Sequence, residues 1–428
     1  MPDSGHTTRL ARTTTRSLTA LALLALSAPM ATAQTFSQRG FVEGTLSLFP
    51  STAVNDSRRV IADAHLRYEP GVRLAPWLRV AAGLDARIDS SGEVDRRWTL
   101  DVQDRGLRRP ALSMRQLQVS LSHGPVQVDI GRQFIRWGKA DVVNPTDRFA
   151  VRDVLGVVDS ELLGVTGVRA TIGNDRTTLD AAFVPRMTPS RAPLVDRRWT
   201  VLPEPAQDLT ILDGSASLPT TPQVGLRVNH IGAGFEASAM VYDGVQSLPR
   251  IDARVVPTAF APSGVVVVLS RTYSPLRAVG ADAAWPLPWC TVRAEAAFLE
   301  SPDRSADDYV LAVVQIERQV GEWSMVAGYA GEHVTADRTA ADFSPERGLA
   351  RAVIGRVAYT IGATRSVSAE GALRQNGDGA WLKGTWTQTM GAHVRLSLVG
   401  HLIGGRDRDF LGQYRRNGHL RTEVRWSF

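Results

Sequence analysis

Charged residues that stand between apolar neighbours are the most chemically informative feature of this 428-residue chain. Arg67, Asp85 and Arg87, for example, are each flanked on both sides by Leu, Ala, Ile or Tyr. Guanidinium groups bind carboxylate and phosphate oxygens, so a row of arginines on one surface would attract anions. The acidic residues among them would serve equally well as cross-strand ion-pair partners, and both interpretations stay open. The residues assigned to this polar surface are Arg67, Arg79, Asp85, Arg87, Arg169, Arg227, Arg293, Glu295 and Arg395.

Charges of both signs are also concentrated in the polar stretch 137–163 and just before it. Asn144, Pro145 and Asp147 supply a turn there, because proline fixes φ and short polar side chains bond the nearby backbone. Opposite charges that face each other across a gap produce a transverse field, which orients polar solutes. A surface loop of the same charge is the alternative. The residues concerned are Arg136, Lys139, Asp141, Asp147, Arg148, Arg152 and Asp153.

The spacing of the histidines gives little support for a metal-binding site or a catalytic site. No two of them have the spacing of metal ligands, and the single thiol, Cys290, gives them no cysteine partner. We therefore expect no metal and no cofactor. Serine and aspartate are plentiful, so a Ser-His-Asp site stays open as an alternative. The histidines considered are His65, His123, His230, His333, His393, His401 and His419.

The segments that carry the polar surface have a period of two residues. From Val60 to Tyr68 and from Leu78 to Asp89, apolar side chains occupy one face and mostly polar ones the other. No segment after residue 33 shows a helical period, so the fold class is all-β. The same alternation recurs at 117–121, 126–130, 168–172, 179–183, 224–228, 235–241, 292–298, 367–373 and 394–402.

The connections alternate between short and long. Turns such as 123–125 and 232–234 contain Gly, Pro or Asx, whereas 90–111 and 185–221 are long and polar. This asymmetry is typical of a transmembrane antiparallel up-and-down β-barrel. Counting predicts about 18 strands from Phe41 to Phe428, enough to leave a water-filled interior. Sixteen or twenty strands are the alternatives, because 264–286 reads either as one long strand or as a hidden hairpin.

Aromatic residues and the end of the chain agree with this interpretation. Tryptophans cluster at the predicted short turns, where an amphipathic ring is most stable at the membrane interface. In the last segment, Val424, Trp426 and Phe428 share one face and Arg425 lies on the other. This ending resembles the C-terminal assembly signal of bacterial outer-membrane barrels. The aromatic residues assigned to the short-turn end are Tyr68, Trp77, Trp285, Trp289, Trp323, Tyr359 and Trp426.

The N-terminus indicates export. Arg9, Arg12 and Arg16 precede an apolar run at 18–26, and small residues follow at 31–33. Residues 1–33 are therefore predicted to be a signal peptide and 34–428 a single barrel domain. No later run reaches the 18 apolar residues of a spanning helix. Residues 1–33 hold three Arg and one Asp, so without them the net charge of +6 falls to +4, which is too weak and dispersed for a nucleic-acid binder. Barely ten residues separate Gln34 from the first predicted strand, which leaves no room for a folded plug.

Two resemblances extend these inferences. The mature chain resembles the outer-membrane porin-type β-barrels, and the stretch 131–147 resembles uncharacterised outer-membrane barrels found beside envelope transport systems. The residues that carry the second are Gly131-Arg132-Gln133, Trp137-Gly138, Asn144-Pro145 and Asp147.

The resemblances imply an outer-membrane channel, not an enzyme, for passive diffusion of small polar solutes, with anions as a candidate class. A component of an envelope export or lipid-handling system is the alternative, and an outer-membrane hydrolase a further one. The implied partners are outer-membrane lipids, the barrel-assembly machinery and small solutes, with the protein a monomer or a homotrimer. By likeness to porins, the stretch 137–163 is expected to fold inward and constrict the interior.

Overall fold

The computed structural model describes residues 35–201, 209–259, 263–338 and 345–428, and the predicted signal peptide lies outside them. The strands are β1 (Thr35–Leu48), β2 (Val60–Ala75), β3 (Leu78–Asp89), β4 (Leu100–Asp101), β5 (Leu112–His123), β6 (Val126–Gln133), β7 (Arg152–Gly156), β8 (Asp159–Leu162), β9 (Val165–Gly173), β10 (Thr177–Val184), β11 (Thr210–Ala216), β12 (Gln223–Gly232), β13 (Phe235–Val245), β14 (Arg250–Pro257), β15 (Val265–Thr272), β16 (Pro275–Pro286), β17 (Thr291–Glu300), β18 (Asp308–Val320), β19 (Trp323–Ala336), β20 (Ala352–Ile361), β21 (Arg365–Arg374), β22 (Gly379–Met390), β23 (Val394–Gly405) and β24 (His419–Ser427). Two short helical turns, Pro345–Gly348 and Gly412–Asn417, complete the described elements. Neither is long and apolar enough to cross a membrane as a helix.

Eighteen of these strands form one closed antiparallel barrel, as the sequence predicts. Each pairs with the next along the chain, and β24 returns to pair with β1. The closing register runs from Phe41 opposite Ser427 to Leu48 opposite Leu420. Two further backbone hydrogen bonds of 3.0 Å join Gly40 and Phe428 in both directions. The strands outside the wall are β4, β7, β8, β11, β14 and β15.

The barrel turns its apolar face outward. On β24, Leu420, Val424 and Trp426 are 44%, 49% and 48% exposed, whereas Arg421 and Arg425 point inward and are partly buried. The same reversal of the soluble-protein pattern holds on the other wall strands, where Val, Leu and Ile dominate the exposed apolar residues. This arrangement is the one that a hydrocarbon surround stabilises, since every backbone amide is satisfied within the ladder and the apolar side chains face lipid.

The aromatic residues predicted for one end of the barrel do gather there. Trp323 packs against Tyr359 with ring centroids 4.6 Å apart, and Trp426 packs against Phe428 at 5.1 Å. Trp77, at the turn between β2 and β3, is 54% exposed. These rings lie at the short turns, where a headgroup layer would meet them.

Two boundaries differ from the sequence prediction. The first strand begins at Thr35 and not at Phe41, so the stretch between the predicted cleavage point and the first strand is shorter than predicted. The stretch 264–286 is neither one long strand nor a barrel hairpin. Its first half, β15, pairs with β11 and β14 in a separate three-stranded sheet, and only β16 belongs to the wall. β15 begins with four consecutive valines, and such a continuous apolar run fits a strand of either sheet, so the sequence pattern does not separate them.

Candidate functional site

The segment between β6 and β9, residues 134–164, lies inside the barrel, and we call it the inserted segment. Its apolar side chains are buried against inward-facing wall residues. Trp137 and Phe149 pack edge to face at 5.1 Å, and Phe149 packs in the same way on Tyr242 of β13. The wall makes room for this contact at Gly225, where a Cβ atom would lie 2.6 Å from the Trp137 ring.

One buried carboxylate anchors the start of the inserted segment. Glu295 of β17, which is 3% exposed, accepts hydrogen bonds from the backbone amides of Lys139 (2.9 Å), Ala140 (3.1 Å) and Thr146 (2.8 Å). The Thr146 hydroxyl donates a fourth at 2.9 Å. Gly138 allows this close approach, because a Cβ there would lie 2.8 Å from Asn144 and 3.0 Å from Glu295. We call this arrangement the Glu295 anchor.

Side chains beside the anchor tie the segment to neighbouring strands. Lys139 Nζ lies 2.8 Å from Glu236, 3.1 Å from Asp282 and 3.3 Å from the amide oxygen of Asn229. Asp141 donates its backbone amide to Gln315 at 3.2 Å, and its carboxylate lies 3.9 Å from Arg356.

The far end of the segment is the hairpin β7–β8, which reaches the opposite wall. Glu161 contacts the guanidinium groups of Arg67, Arg87 and Arg115, the last two at 2.5 Å. Burial alone would raise the pKa of Glu161, but these guanidinium groups hold it well below its usual range. In the ring of eighteen strands, Glu295 is on the eleventh and Arg67 on the second, so the segment crosses the full interior.

The remaining charged residues of the inserted segment have mostly structural partners. Asp147 accepts the Trp137 amide at 2.8 Å and lies 3.7 Å from Arg136, and its burial raises the pKa of the carboxyl to about 6. Arg148 is buried and donates to the Asn144 carbonyl at 2.7 Å.

Two further residues of this group differ in their surroundings. Asp153 is buried and bound by Arg109 at 2.9 Å and Arg191 at 3.0 Å, which join the stretches 90–111 and 185–222 to the segment. Asp153 therefore faces these loops and not an open passage. Arg152 is only partly buried, and it donates to the Ser160 hydroxyl at 3.3 Å.

The wall arginines predicted to face inward are largely paired with carboxylates. Arg169 bonds Asp180, and Arg227 bonds Asp282 at 2.9 Å. The pairs Arg67–Asp85 (2.7 Å), Arg87–Asp85 (3.4 Å) and Arg293–Glu317 (2.9 Å) complete the set. Arg79 of β3 and Arg395 of β23 are exposed at the short-turn end, and neither side chain has an ion pair among the described residues. Most of the wall arginines predicted to face inward are therefore ion-paired. The unpaired positive charge among them belongs to Arg79 and Arg395.

Bacterial outer-membrane porins and barrels share this architecture. OccAB4 of Acinetobacter baumannii superposes with a TM-score of 0.53 at 9% identity, over 92% of this chain and 98% of that one. OpdQ of Pseudomonas aeruginosa gives 0.50 at 9% identity, over 93% and 99%. Wzi of Escherichia coli, described as a carbohydrate-binding β-barrel involved in group 1 capsule assembly, gives 0.50 at 10% identity, over 96% and 87%. No protein-family model and no curated protein matches the sequence. The fold is that of a porin-type barrel.

Among the cavities beside the inserted segment in the described part of this porin-type barrel, two have charged linings and share a residue of the hairpin β7–β8. One, of about 350 Å³, is lined by Asp141, Arg356 and Lys383 among others. The other, of about 290 Å³, lies against β1, β2 and β24 and is lined by residues such as Asp63. Asp159, at the tip of the hairpin β7–β8, lines both. The hairpin therefore stands between two charged compartments.

The porin-type barrel also gathers residues that sequence spacing separates. His401 of β23 and His419 of β24 are register partners, and their rings stack at 4.4 Å. Asp159 comes from the inserted segment, and one ligand atom from each of the three lies within 4.8 Å of the others. The expectation that no histidines cluster is wrong, because the register of the consecutive strands β23 and β24 joins two whose spacing in the sequence is not that of metal ligands. Only the alternation that places both on inward positions could have indicated the pair.

Proposed function

We propose that this porin-type barrel is an outer-membrane channel for passive diffusion of small polar solutes, with the inserted segment at its narrowest point. The observation that carries the proposal is the position of the hairpin β7–β8 between two cavities with charged linings. Charged groups of both signs on opposite sides of a narrow passage orient dipolar solutes. The proposed setting is the bacterial outer membrane, reached by a signal peptide and the barrel-assembly machinery, with the protein a monomer or a homotrimer among outer-membrane lipids.

A planar-bilayer recording of the purified, refolded protein tests this proposal. We expect stable open-channel currents, because the two cavities contain charged and polar linings that hold water. A properly folded protein that inserts and yet passes no current would contradict the channel proposal.

The second candidate is an occluded barrel that binds a ligand or serves an envelope export system. The packing of Trp137, Phe149 and Val143 against wall residues such as Leu299 favours it, since this apolar cluster fills part of the interior. The capsule-assembly role described for Wzi makes a carbohydrate ligand the first to examine. Silence in the bilayer together with binding of an oligosaccharide would favour this candidate over the channel. An enzyme is not proposed, because no serine hydroxyl in the described ranges hydrogen-bonds a histidine ring.

We predict a modest preference for anions. The preference should be small because most wall arginines are paired, and it should depend on Arg79 and Arg395, whose positive charges are not balanced by a bound carboxylate. In a potassium chloride gradient, the reversal potential of the wild-type channel should show chloride to be the more permeant ion. Changing both residues to Gln should move the reversal potential toward zero.

Arg318 and Arg365 supply the matched control for this experiment. Both lie at the same end of the barrel but at outward-facing register positions, opposite Met325 and Ile361. Their double change to Gln should leave the reversal potential unaltered. Cation preference in the wild type, or equal effects of the two double variants, would show that these arginines do not set selectivity.

A further inference from the structure

The proposed channel function assigns no role to the cluster of Asp159, His401 and His419. Two polar atoms of this cluster have no hydrogen-bond partner. His401 is almost fully buried, and its Nε2 atom has no hydrogen-bond partner. Asp159 Oδ2 also lacks one, although Arg421 Nη1 lies 3.0 Å away in a direction that makes no hydrogen bond. The two unpartnered atoms are 3.7 Å apart. Leaving buried polar atoms unsatisfied is costly, so the pocket is incomplete without a further group.

We propose that this cluster binds a divalent transition-metal ion of the zinc class. Two imidazole nitrogens and one carboxylate oxygen are the ligand set found in many open zinc sites, where water takes the fourth position. The ion would reach the site from the aqueous interior, because Asp159 lines both cavities.

The surroundings of His419 prepare it for coordination. Its Nδ1 atom lies 2.9 Å from the carbonyl oxygen of Asn417, which accepts the ring proton and leaves Nε2 unprotonated. The Arg421 guanidinium donates to this Nε2 at 3.4 Å, a long bond that a metal ion would have to displace. In metal-binding histidines generally, the ring nitrogen that does not bind the metal donates its N–H to a nearby oxygen, and this bond fixes the tautomer. For His401, the Trp381 indole donates to Nδ1 at 3.3 Å, so the ring proton is on Nε2. Coordination through Nε2 would move this proton to Nδ1 and break the long bond to the indole.

Neighbouring cations limit the affinity. Lys383 lies 3.2 Å from Asp159, and Arg421 shares the same carboxylate. Glu370 offsets Lys383 at 3.3 Å, and Glu423 lies 3.7 Å from Arg421. A metal ion therefore competes with two cations for Asp159, and we expect micromolar rather than nanomolar binding.

A metal ion bound at the cluster would link the inserted segment to the barrel wall. Asp159 is at the tip of the hairpin β7–β8, whereas the two histidines belong to β23 and β24 beside the seam that closes the barrel. The ion would thus hold the tip against this seam and steady the hairpin between the two cavities.

Cobalt and zinc titrations of the refolded full barrel, prepared without a histidine tag, test the proposal. Co²⁺ should give the visible absorption of a site with nitrogen ligands and low coordination number, at one ion per chain, and Zn²⁺ should displace it. His419→Gln should weaken Zn²⁺ binding by more than about tenfold. Asp159→Asn should weaken it as well, and this change lies in the inserted segment, so the wall still folds.

Two further variants make the result decisive. His333→Gln is the control, because His333 is exposed on β19 and far from the cluster in the strand order; it should bind as the wild type does. Lys383→Met removes a competing cation and should tighten binding. No Co²⁺ spectrum at submillimolar metal would overturn the proposal. So would equal affinity of the His419, Asp159 and His333 variants, or an unchanged affinity on loss of Lys383.

Discussion

Removing Trp426 to Phe428 should abolish the heat-modifiable, membrane-inserted form of the protein while export continues. The closing pair β1–β24 loses the two backbone hydrogen bonds between Gly40 and Phe428 and the register pairs of Trp426 and Ser427. An unclosed edge leaves amide and carbonyl groups unsatisfied in hydrocarbon, at several kcal/mol each. Phe428→Asp should act in the same direction, because it places a charge where Phe428 packs on Trp426.

The measurement is the gel shift between unheated and heated samples of the outer-membrane fraction, with protease resistance as the second readout. Trp98→Asp is the matched control, because Trp98 is equally aromatic and 61% exposed but lies in the stretch 90–111 outside the wall. It should assemble normally. Normal insertion of the truncated chain would mean that the terminal strand is not an assembly signal.

Replacing Glu295 with Leu should release the inserted segment and increase conductance several-fold. Each hydrogen bond to this carboxylate contributes about 1.5–3 kcal/mol. Three backbone amides, those of Lys139, Ala140 and Thr146, would be left buried without an acceptor. Lys139 keeps its ion pairs with Glu236 and Asp282, but the three amides lose their acceptor, so the start of the segment should leave the wall and widen the interior. Single-channel recordings should show larger and noisier currents.

Glu43→Gln is the control for this change. Glu43 is also an inward-facing wall carboxylate bound to an arginine, Arg425 at 2.6 Å, and no described contact joins it to the inserted segment. Its conductance should stay near that of the wild type. The gel-shift assay should confirm that both variants close the barrel. If the Glu295 variant folds normally and conducts as the wild type does, the anchor does not control the passage.

Much of the fold was predictable because its causes are local. Alternating side chains specify which face of each strand meets lipid, and short Gly and Asx turns fix the register of adjacent strands. The count of eighteen strands follows from these signals and from the alternation of short and long connections. The sheet of β11, β14 and β15 was not predictable, since the apolar run at the start of β15 fits a strand of the wall as well as one of a separate sheet.

The sequence by itself determined the all-β class, the outward apolar face and the inward positions of residues such as Arg67 and Glu295. It could only suggest that the stretch 137–163 turns inward. The tertiary structure decided the path of that segment, because its partner Glu295 is about 150 residues further along the chain. It likewise brought His401 beside His419 and both beside Asp159. The pairing of the two histidines needs only the register of the consecutive strands β23 and β24. The contacts of the inserted segment with Glu295 and with this histidine pair depend on ring closure, which places strands from distant parts of the chain around one interior, and no local pattern of side chains records it.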